Sequence, residues 1–311
     1  MPRRTENLHK ALPFLKWAGG KRQILPAILD RIPAEFNTYY EPFIGGGAVF
    51  FAVAAGRAFR RAVLGDRNRD LIDAYLGVRD ELPRVIRRLD ALRRRHSEAQ
   101  YYRIRAQDPS RLSLAARAAR IIYLNRTCYN GLYRVNRSGR FNVPFGRYKN
   151  PKILHTENLQ AVSRVLQKKQ RLSLKAGEDA PKRKARTLGV SIRVLDFERA
   201  VTHAKPGDVI YFDPPYVPVS RTANFTSYHH EEFGPDEQMR LAKLMRALRD
   251  RGVYALLSNA DVPTARKLYK DLPTVRVKAR RAINSRPDQR GHVSELLVWT
   301  GPFRLPGGSR L

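Results

Sequence analysis

The stretch GDVIYFDPPY, residues 207–216, decides the fold class, because an apolar run of strand length ends there in two consecutive prolines. Val209 and Ile210 have the apolar character of a buried strand, and residues 213–216 follow that strand directly. Open α/β sheets hold their ligands just beyond the carboxyl ends of their strands. We therefore expect a functional site at residues 213–216.

Strand and helix patterns alternate on both sides of this stretch. Apolar runs of strand length occur at residues 190–198, 252–259 and 295–300, and apolar residues recur at helical spacing in 237–251. Nearer the beginning of the chain, residues 41–66 indicate a strand, a glycine-rich turn, a helix and a second strand. This alternation predicts an α/β sheet.

The middle of the chain has a different character. Residues 67–127 are rich in arginine and place apolar residues at helical spacing, and residues 134–143 predict a hairpin. We therefore predict an α/β domain formed by residues 1–70 and 156–311, interrupted by a mostly helical insertion at 71–155.

The charge of the chain is strongly unbalanced. Sixty Lys and Arg against 28 Asp and Glu give the 311 residues a formal net charge of +32. Such an excess favours a polyanionic partner such as nucleic acid, although an arginine-rich host proteome produces the same excess.

Cysteine content and hydropathy exclude several other classes. Cys128 is the only cysteine, so an internal disulfide is excluded, and the sequence has no Cys/His cluster for zinc. No run approaches the roughly 20 apolar residues that cross a bilayer, and residues 1–10 lack the apolar segment of a signal peptide. We expect a cytoplasmic protein with no membrane segment and no metal site.

Residues 213–216 carry groups that suit an aromatic amine. Because Pro214 and Pro215 have no N–H, the carbonyls of Asp213 and Pro214 are available as acceptors beside the Asp213 carboxylate. With the flat ring of Tyr216, these acceptors suit the exocyclic amine of adenine. Two hydrogen bonds from that amine favour a pyramidal nitrogen and expose its lone pair to a strong electrophile. The alternative is an ordinary turn that ends the strand.

Two further features suit a nucleotide-like ligand. Gly45, Gly46 and Gly47 allow the backbone to approach a ligand closely, or else form a purely structural turn. Asp66 ends the second predicted strand, where a carboxylate can accept hydrogen bonds from both ribose hydroxyls. A helix N-cap is the alternative role for Asp66.

Several motifs together carry a family resemblance. They are FLKWAGGK (14–21), EPFIGGGAVF (41–50), GDRNRDLI (65–72), YLNRTCYNGLYRVNRSGRFNVPFGRYKNP (123–151), DPPY (213–216) and TANFTSYH (222–229). With these motifs the sequence resembles the Dam-type, D12 class DNA adenine-N6 methyltransferases. The resemblance implies a Rossmann-like methyltransferase sheet with a mostly helical target-recognition insertion, S-adenosylmethionine as cofactor and double-stranded DNA as partner. It also implies methylation at 5′-GATC-3′ after the adenine leaves the stack, and we expect a monomer.

The resemblance assigns roles around the cofactor. In the family the residue matched by Lys21 lies near the cofactor carboxylate, and the residue matched by Trp17 walls the pocket. The cofactor-binding residues expected on this basis are Trp17, Gly19, Gly20, Lys21, Glu41, Phe43, Gly45, Gly47, Asp66, Asp196, Phe197 and Asp213. Without the resemblance, Trp17 suits a core position, and Asp196 and Phe197 suit a helix cap and a core aromatic.

The resemblance also assigns DNA contacts. The matched residues are Lys16, Tyr129, Asn130, Leu132, Arg134 and Pro144. Tyr129, Asn130 and Leu132 correspond to a wedge in the duplex, and Arg134 has the donor fork that reads guanine O6 and N7. A folded hairpin with Tyr and Leu in its core is the alternative. Phosphate contacts are expected from Arg137, Arg140, Arg147 and Lys149.

Other functions stay open at this point. Related amino-methylating enzymes act on cytosine N4, on RNA or on glutamine amides in proteins, and a basic DNA-binding protein without activity is a further alternative. A phosphate-binding ATPase is excluded because the sequence has no GxxxxGK[ST] motif. We expect residues 171–190 to form a basic surface loop, and residues 220–228 are a candidate lid.

Overall fold

The computed structural model describes residues 10–167, 189–217, 233–280 and 292–303. The strands in these ranges are β1 (Thr38–Glu41), β2 (Arg61–Asp66), β3 (Gly189–Val194), β4 (Val209–Phe212), β5 (Tyr254–Ala260), β6 (Thr274–Arg280) and β7 (His292–Trp299). The helices are α1 (Leu25–Leu29), α2 (Ala48–Gly56), α3 (Arg69–Asp80), α4 (Leu82–Arg94), α5 (Glu98–Ala106), α6 (Leu114–Thr127), α7 (Thr156–Gln167), α8 (Phe197–Ala200), α9 (Pro235–Asp250) and α10 (Pro263–Leu268).

Two predicted surface segments fall largely outside this description. The candidate lid at 220–228 lies wholly outside the described residues. The basic loop predicted at 171–190 also lies outside them, except that its last two residues begin β3.

The described strands form one seven-stranded sheet in the order β3, β2, β1, β4, β5, β7, β6. Strands β1 to β5 pair in parallel, whereas β7 runs antiparallel between β5 and β6. The order changes direction at β1, since β2 pairs with one of its edges and β4 with the other. A switch point of this kind leaves a crevice at the carboxyl ends of the strands. The predicted α/β sheet is confirmed.

The central strands are apolar because both of their faces are buried. All four residues of β4 and all seven of β5 are buried, as expected for strands covered on two sides. Strand β6 was not among the predicted strands. It lies at the sheet edge and alternates half-buried Val275 and Val277 with exposed charged residues, so it contains no continuous apolar run.

The chain divides into two compact units, one of which contains the sheet. This sheet unit comprises the described parts of residues 21–44, 56–67 and 169–311. Helix α9 packs against β5 through Leu241 and Met245, which lie one turn apart on its apolar face. Burying each of these side chains contributes about 2 kcal/mol to the stability of the unit.

The second, helical unit comprises the described parts of residues 1–20, 45–55 and 68–168. Its core forms where α3 packs against α6 and α7. Asn68 caps the N-terminus of helix α3, and its side chain accepts a hydrogen bond from the Leu71 amide at 3.1 Å. The unit therefore contains more of the chain than the predicted insertion at 71–155.

The hairpin predicted at 134–143 is confirmed. Val135 pairs antiparallel with Phe141, and the Asn136 amide donates to the carbonyl of Arg140 at 2.9 Å. Gly139 has a φ of +70°, which glycine adopts without strain, so Gly139 suits the turn between the two paired segments.

Two features are absent from the described residues, a membrane-spanning helix and a metal-binding cluster. No helix among them is long and apolar enough to cross a membrane. Nor do three or more His, Cys, Asp or Glu side chains within the described ranges come together as they would around a metal ion.

Candidate functional site

Acidic residues follow the carboxyl ends of neighbouring parallel strands in the sheet unit. Glu41 ends β1, Asp66 ends β2, and Asp213 follows β4. These strands are neighbours in the sheet and run in the same direction, so their carboxyl ends share one edge. The sheet therefore brings the three predicted carboxylates to one edge.

The Asp213 carboxylate is held through a single oxygen. Its Oδ1 accepts from the Lys21 ammonium at 2.8 Å and from the Ser258 hydroxyl at 3.1 Å. Lys21 is only 4% exposed, whereas the Asp213 side chain is 22% exposed. Among the described residues no donor reaches Oδ2 of Asp213. Within the described part of the chain, one carboxylate oxygen is thus anchored and the other stays available to a ligand.

Burial raises the pKa of Asp213 above the ordinary aspartate value. The charge and hydrogen bond of Lys21 and the hydrogen bond of Ser258 act in the opposite direction. The ion pair with Lys21 therefore favours the ionised carboxylate, which is the form that accepts hydrogen bonds.

The Tyr216 side chain is fixed at both its hydroxyl and its ring. The hydroxyl donates to Glu295 Oε2 at 2.5 Å, and the Lys21 ammonium lies 4.6 Å from the ring centroid. Burial, followed by the nearby acidic groups, raises the pKa of Tyr216 well above the ordinary value. The phenol is therefore neutral and presents its ring in one fixed plane.

The two proline carbonyls have different surroundings. The Pro215 carbonyl accepts from Gln238 Nε2 at 2.8 Å, and the Val217 amide donates to Asn259 Oδ1 at 3.1 Å. Within the described parts of the chain, no donor reaches the carbonyls of Asp213 or Pro214. The Asp213 and Pro214 carbonyls were predicted to be available as acceptors. They differ in this from the Pro215 carbonyl, which already accepts a hydrogen bond.

Asp66 does not cap the following helix. That position belongs to Asn68, so the alternative role for Asp66 is wrong. The Asp66 backbone carbonyl accepts from the Leu195 amide at 3.2 Å, which fixes the end of β2 beside β3. The half-buried Asp66 side chain stands at the sheet edge where the ribose-binding carboxylate was predicted.

Asp196 and Phe197 have the local contacts of a cap and a core aromatic. The Asp196 carboxylate accepts from the Glu198 amide at the start of α8 and pairs with Arg67 and Arg240. Phe197 is 1% exposed and stacks on Phe43 with ring centroids 5.6 Å apart. A role for either residue toward a cofactor stays a prediction.

The glycine-rich turn belongs to the helical unit. Gly45 and Gly47 have φ values of +45° and +74°, a region that favours glycine. A Cβ at Gly45 would lie 2.9 Å from Trp17 Cδ1, and one at Gly47 would lie 2.5 Å from the Tyr75 hydroxyl oxygen. Backbone conformation and packing therefore require glycine at Gly45 and Gly47. Ligand binding by this turn stays a prediction.

Trp17 is half-buried and packs beside Tyr133. Its ring centroid lies 5.3 Å from that of Tyr133, whose hydroxyl donates to Asp70 Oδ2 at 3.1 Å. Gly19, two residues after Trp17, has a φ of +79°, and both Gly19 and Gly20 are exposed. Trp17 is thus partly exposed rather than fully buried in the core of its own unit.

Asn125 joins Lys16 to the turn at residues 129–131. Its Oδ1 accepts from the Lys16 amide at 2.7 Å, and its Nδ2 donates to the carbonyls of Lys16 and Gly131 at 2.8 and 3.0 Å. The Tyr129 amide donates to the Pro144 carbonyl at 2.9 Å. Residues predicted to contact DNA from three sequence segments are thereby brought together.

The side chains on this turn point to solvent. Tyr129 is 54% exposed and Leu132 is 44% exposed, although both are large and hydrophobic. The alternative that placed them in a hairpin core is therefore wrong. Asn130 has a φ of +52°, which asparagine tolerates. Also exposed are Lys16, Arg134, Arg137, Arg140, Pro144, Arg147 and Lys149.

Comparison with known proteins decides the family. The model of the D12 class N6 adenine-specific DNA methyltransferases matches residues 17–283. The chain belongs to this family. The Type II methyltransferase M1.LlaDCHI of Lactococcus lactis subsp. cremoris is 40% identical over 292 residues, which cover 92% of this chain and 94% of that protein.

Two other relatives of this D12 methyltransferase match over a similar extent. The Type II methyltransferase M.MjaIII of Methanocaldococcus jannaschii is 39% identical, covering 92% of this chain and 98% of its own. The DNA adenine methylase of Escherichia coli (strain K12) is 36% identical, covering 95% and 97%. The family resemblance inferred from the motifs is confirmed.

The donor set of this methyltransferase suits the methyl donor that the family implies. S-adenosylmethionine carries two ribose hydroxyls, which need acceptors, and a cationic sulfonium, which is favoured near carboxylates. Asp66 and Asp213 supply carboxylates at the carboxyl edge of the sheet, and Phe43 supplies an aromatic ring beside that edge. The residues present at this edge therefore fit the cofactor.

Sequence reasoning missed the side chains that hold residues 213–217. They are Ser258, Asn259, Gln238 and Glu295. A usable signal was the pair of polar residues inside the otherwise apolar run of β5, since buried polar groups in a central strand need specific partners.

Proposed function

We propose that this D12 methyltransferase transfers a methyl group from S-adenosylmethionine to N6 of adenine in 5′-GATC-3′ sites of double-stranded DNA, with the target base turned out of the duplex. The observation that carries the proposal is the asymmetric hydrogen bonding of Asp213. Its Oδ1 is anchored by Lys21 and Ser258, while Oδ2 and the Pro214 carbonyl have no partner among the described residues.

These two acceptors, which no described residue bonds, match the two N–H groups of the adenine amine. Asp213 Oδ2 and the Pro214 carbonyl accept one hydrogen bond each, which favours a pyramidal nitrogen and directs its lone pair away from the ring. Tyr216 stacks on the base. When bound, S-adenosylmethionine supplies an electrophilic methyl carbon on its sulfonium. As the nitrogen bonds the methyl carbon, the carbon–sulfur bond would break and the sulfur would leave as a neutral thioether. The nitrogen then releases a proton to water, and no imidazole base is required.

The remaining cofactor roles follow from the family resemblance and the side chains at each position. Asp66 accepts hydrogen bonds from the ribose hydroxyls, and Lys21 carries the positive charge nearest to Asp213. Trp17 provides an aromatic wall in the helical unit, beside the turn that contains Gly45 and Gly47. Glu41, Phe43, Asp196, Phe197, Gly19 and Gly20 are proposed cofactor neighbours on the resemblance alone.

DNA recognition is proposed for the helical unit. Tyr129 and Leu132 are exposed hydrophobic residues that can replace the stacking lost when the base leaves the duplex. Arg134 reads a guanine through its donor fork, and the exposed Arg147 contacts phosphate. The assignment of 5′-GATC-3′ rests on the match of this segment to the Dam-type motif.

Three alternatives to this function concern the recognition sequence, the substrate and the activity itself. Type II methyltransferases are among the relatives, so a different recognition sequence is the first alternative. Methylation of cytosine N4 or of RNA is the second. A DNA-binding protein without activity is disfavoured because the Asp213 acceptors, Lys21 and Tyr216 are all in place.

Plasmid digestion tests the recognition sequence. The chain is expressed in a methylation-deficient host, and plasmid DNA is digested with nucleases that differ in sensitivity to methylated GATC. We expect cleavage by the methylation-sensitive nuclease to be blocked and cleavage by the methylation-dependent nuclease to appear. An unmethylated plasmid would contradict the 5′-GATC-3′ assignment.

Nucleoside analysis tests the reaction. Purified protein, labelled S-adenosylmethionine and duplex oligonucleotides are incubated, and the nucleosides are separated by chromatography. We expect the label in 6-methyladenine and none in 4-methylcytosine. Sedimentation of the same preparation tests whether the protein is the predicted monomer. The proposal also includes a cytoplasmic location.

A further inference from the structure

The side chains that hold residues 213–217 come from two neighbouring strands and one helix. Ser258 and Asn259 lie near the carboxyl end of β5, Glu295 lies on β7 and Gln238 lies in the first turn of α9. Glu295 pairs with Ala260 across the two strands. These four residues are distant in sequence from the DPPY motif and are not part of it.

The two faces of β5 contact different parts of the motif. Side chains alternate along a strand and directly paired residues share a face, so Ser258 and Glu295 lie on one face and Asn259 on the other. Ser258 and Glu295 bond the side chains of Asp213 and Tyr216. Asn259, on the opposite face, bonds the backbone instead.

The backbone contacts form a short chain of hydrogen bonds. Asn259 Oδ1 accepts from the Val217 amide, and Asn259 Nδ2 donates to Gln238 Oε1 at 3.1 Å. Gln238 Nε2 then donates to the Pro215 carbonyl at 2.8 Å. Asn259 is fully buried and Gln238 is 6% exposed, so the bond between these two side chains is shielded from water, whereas the bonds to Val217 and Pro215 are partly buried.

The side-chain contacts have a defined direction. The single hydroxyl proton of Ser258 goes to Asp213 Oδ1, so Tyr211, whose hydroxyl lies 2.9 Å from Ser258 Oγ, donates to Ser258. The neutral Tyr216 phenol donates to the Glu295 carboxylate. Asp213 is therefore fixed through Oδ1 and Tyr216 through its hydroxyl, which leaves Asp213 Oδ2 and the Tyr216 ring for the substrate.

We propose that Glu295 and Ser258 are positioning residues that fix the Tyr216 ring and the Asp213 carboxylate for the flipped base, while Gln238 and Asn259 fix the backbone between them. The proposal rests on the proposed adenine methylation and deepens it. A shift of about 1 Å in a positioned group can reduce a reaction rate by roughly a hundredfold. Glu295 touches neither the base nor the cofactor in this scheme and acts only through the Tyr216 hydroxyl.

A double-mutant cycle tests this role of Glu295. In single-turnover assays with saturating DNA and methyl donor, Glu295→Ala is expected to lower the methylation rate by about tenfold to a hundredfold. Tyr216→Phe removes the same hydrogen bond, so adding Glu295→Ala to it is expected to cause no further loss. Glu295→Gln keeps an acceptor for the hydroxyl and is expected to restore most of the rate.

A second measurement separates positioning from a general loss of structure. With 2-aminopurine at the target position, Glu295→Ala is expected to leave DNA affinity within about twofold and to raise the fluorescence of the bound complex, because the base stacks less well on Tyr216. Thermal unfolding measurements check that each variant is folded. Glu157→Ala, which changes a 67% exposed glutamate, is the matched control and keeps the wild-type rate.

The outcomes separate this proposal from the proposed function. Independent, additive losses in Tyr216→Phe and Glu295→Ala, or a wild-type rate in Glu295→Ala, would overturn the positioning role while leaving adenine methylation intact. A wild-type chain that transfers no methyl group to any DNA would instead overturn the proposed function. Full activity of Ser258→Ala would remove Ser258 from the proposal.

Discussion

At the end of β4, the functional groups of Asp213 and Tyr216 are held by other side chains, whereas the turn at 129–131 of the helical unit is held through its backbone. Lys21, Ser258 and Glu295 bond the reactive groups directly. The Asn125 side chain bonds main-chain atoms of Lys16 and Gly131 and leaves Tyr129 and Leu132 exposed.

The difference follows from what the proposed function requires of each site. A catalytic group must keep one orientation and one protonation state, which requires buried charged partners. A surface that enters DNA must present side chains to solvent, so only the backbone beneath them can be fixed. Changes at the first site should therefore affect rate, and changes at the second should affect affinity and sequence discrimination.

The largest effect is expected for Asp213→Ala. Because it removes an acceptor for the adenine amine, methylation is expected to fall by about a thousandfold, with DNA affinity nearly unchanged. Labelled methyl transfer and fluorescence anisotropy of a DNA duplex measure the two quantities. Asp250→Ala, at a 66% exposed position, is the control. Full activity of Asp213→Ala would refute the mechanism.

Lys21→Met is expected to have the second largest effect. Losing its charged hydrogen bond to Asp213 costs about 1.5–3 kcal/mol, or roughly tenfold to a hundredfold in rate. Since burial raises the pKa of Asp213 and Lys21 lowers it, the variant raises that pKa further. The acid limb of the pH–rate profile should move to higher pH, because Asp213 must be ionised to accept the amine.

Saturating methyl donor is required in this assay, since Lys21 is also a proposed cofactor neighbour. The exposed Lys270→Met provides the charge-matched control. An acid limb that stays in place would show that Lys21 does not set the ionisation of Asp213.

Arg134→Ala is expected to affect recognition and leave the chemical step alone. Discrimination at one guanine should fall by about 1–3 kcal/mol, because the fork to O6 and N7 is lost. Methylation rates on duplexes with single substitutions in the site measure it. Arg94→Ala, at a 74% exposed position in the same unit, is the control. Unchanged selectivity would exclude Arg134 from base reading.

The smallest effect is expected for Asn125→Ala. Without its hydrogen bonds to Lys16 and Gly131, the turn at 129–131 is less rigid, and DNA affinity should fall by about fivefold, or roughly 1 kcal/mol. Binding titrations measure this, with the exposed Asn150→Ala as control. A loss of rate without a loss of affinity would contradict the division of labour between the two sites.

Much of the fold was predictable because its signals are local. Buried parallel strands such as β4 and β5 are continuous apolar runs, and the DPPY motif marks the carboxyl end of one of them. Strand β6 was missed because an edge strand buries only part of each side chain and alternates with charges. The helix-cap role considered for Asp66 was wrong because the backbone geometry at the start of α3 makes Asn68 the cap.

The sequence by itself therefore determined the family and the α/β sheet and predicted the residues proposed to carry the chemistry, since these depend on residue types at short spacing. Tertiary structure alone decided which oxygen of Asp213 is anchored, which proline carbonyl is already bonded and which side chains hold Tyr216. Those contacts join residues 21, 213, 238, 258 and 295, and only the folded sheet brings such distant positions within hydrogen-bonding distance.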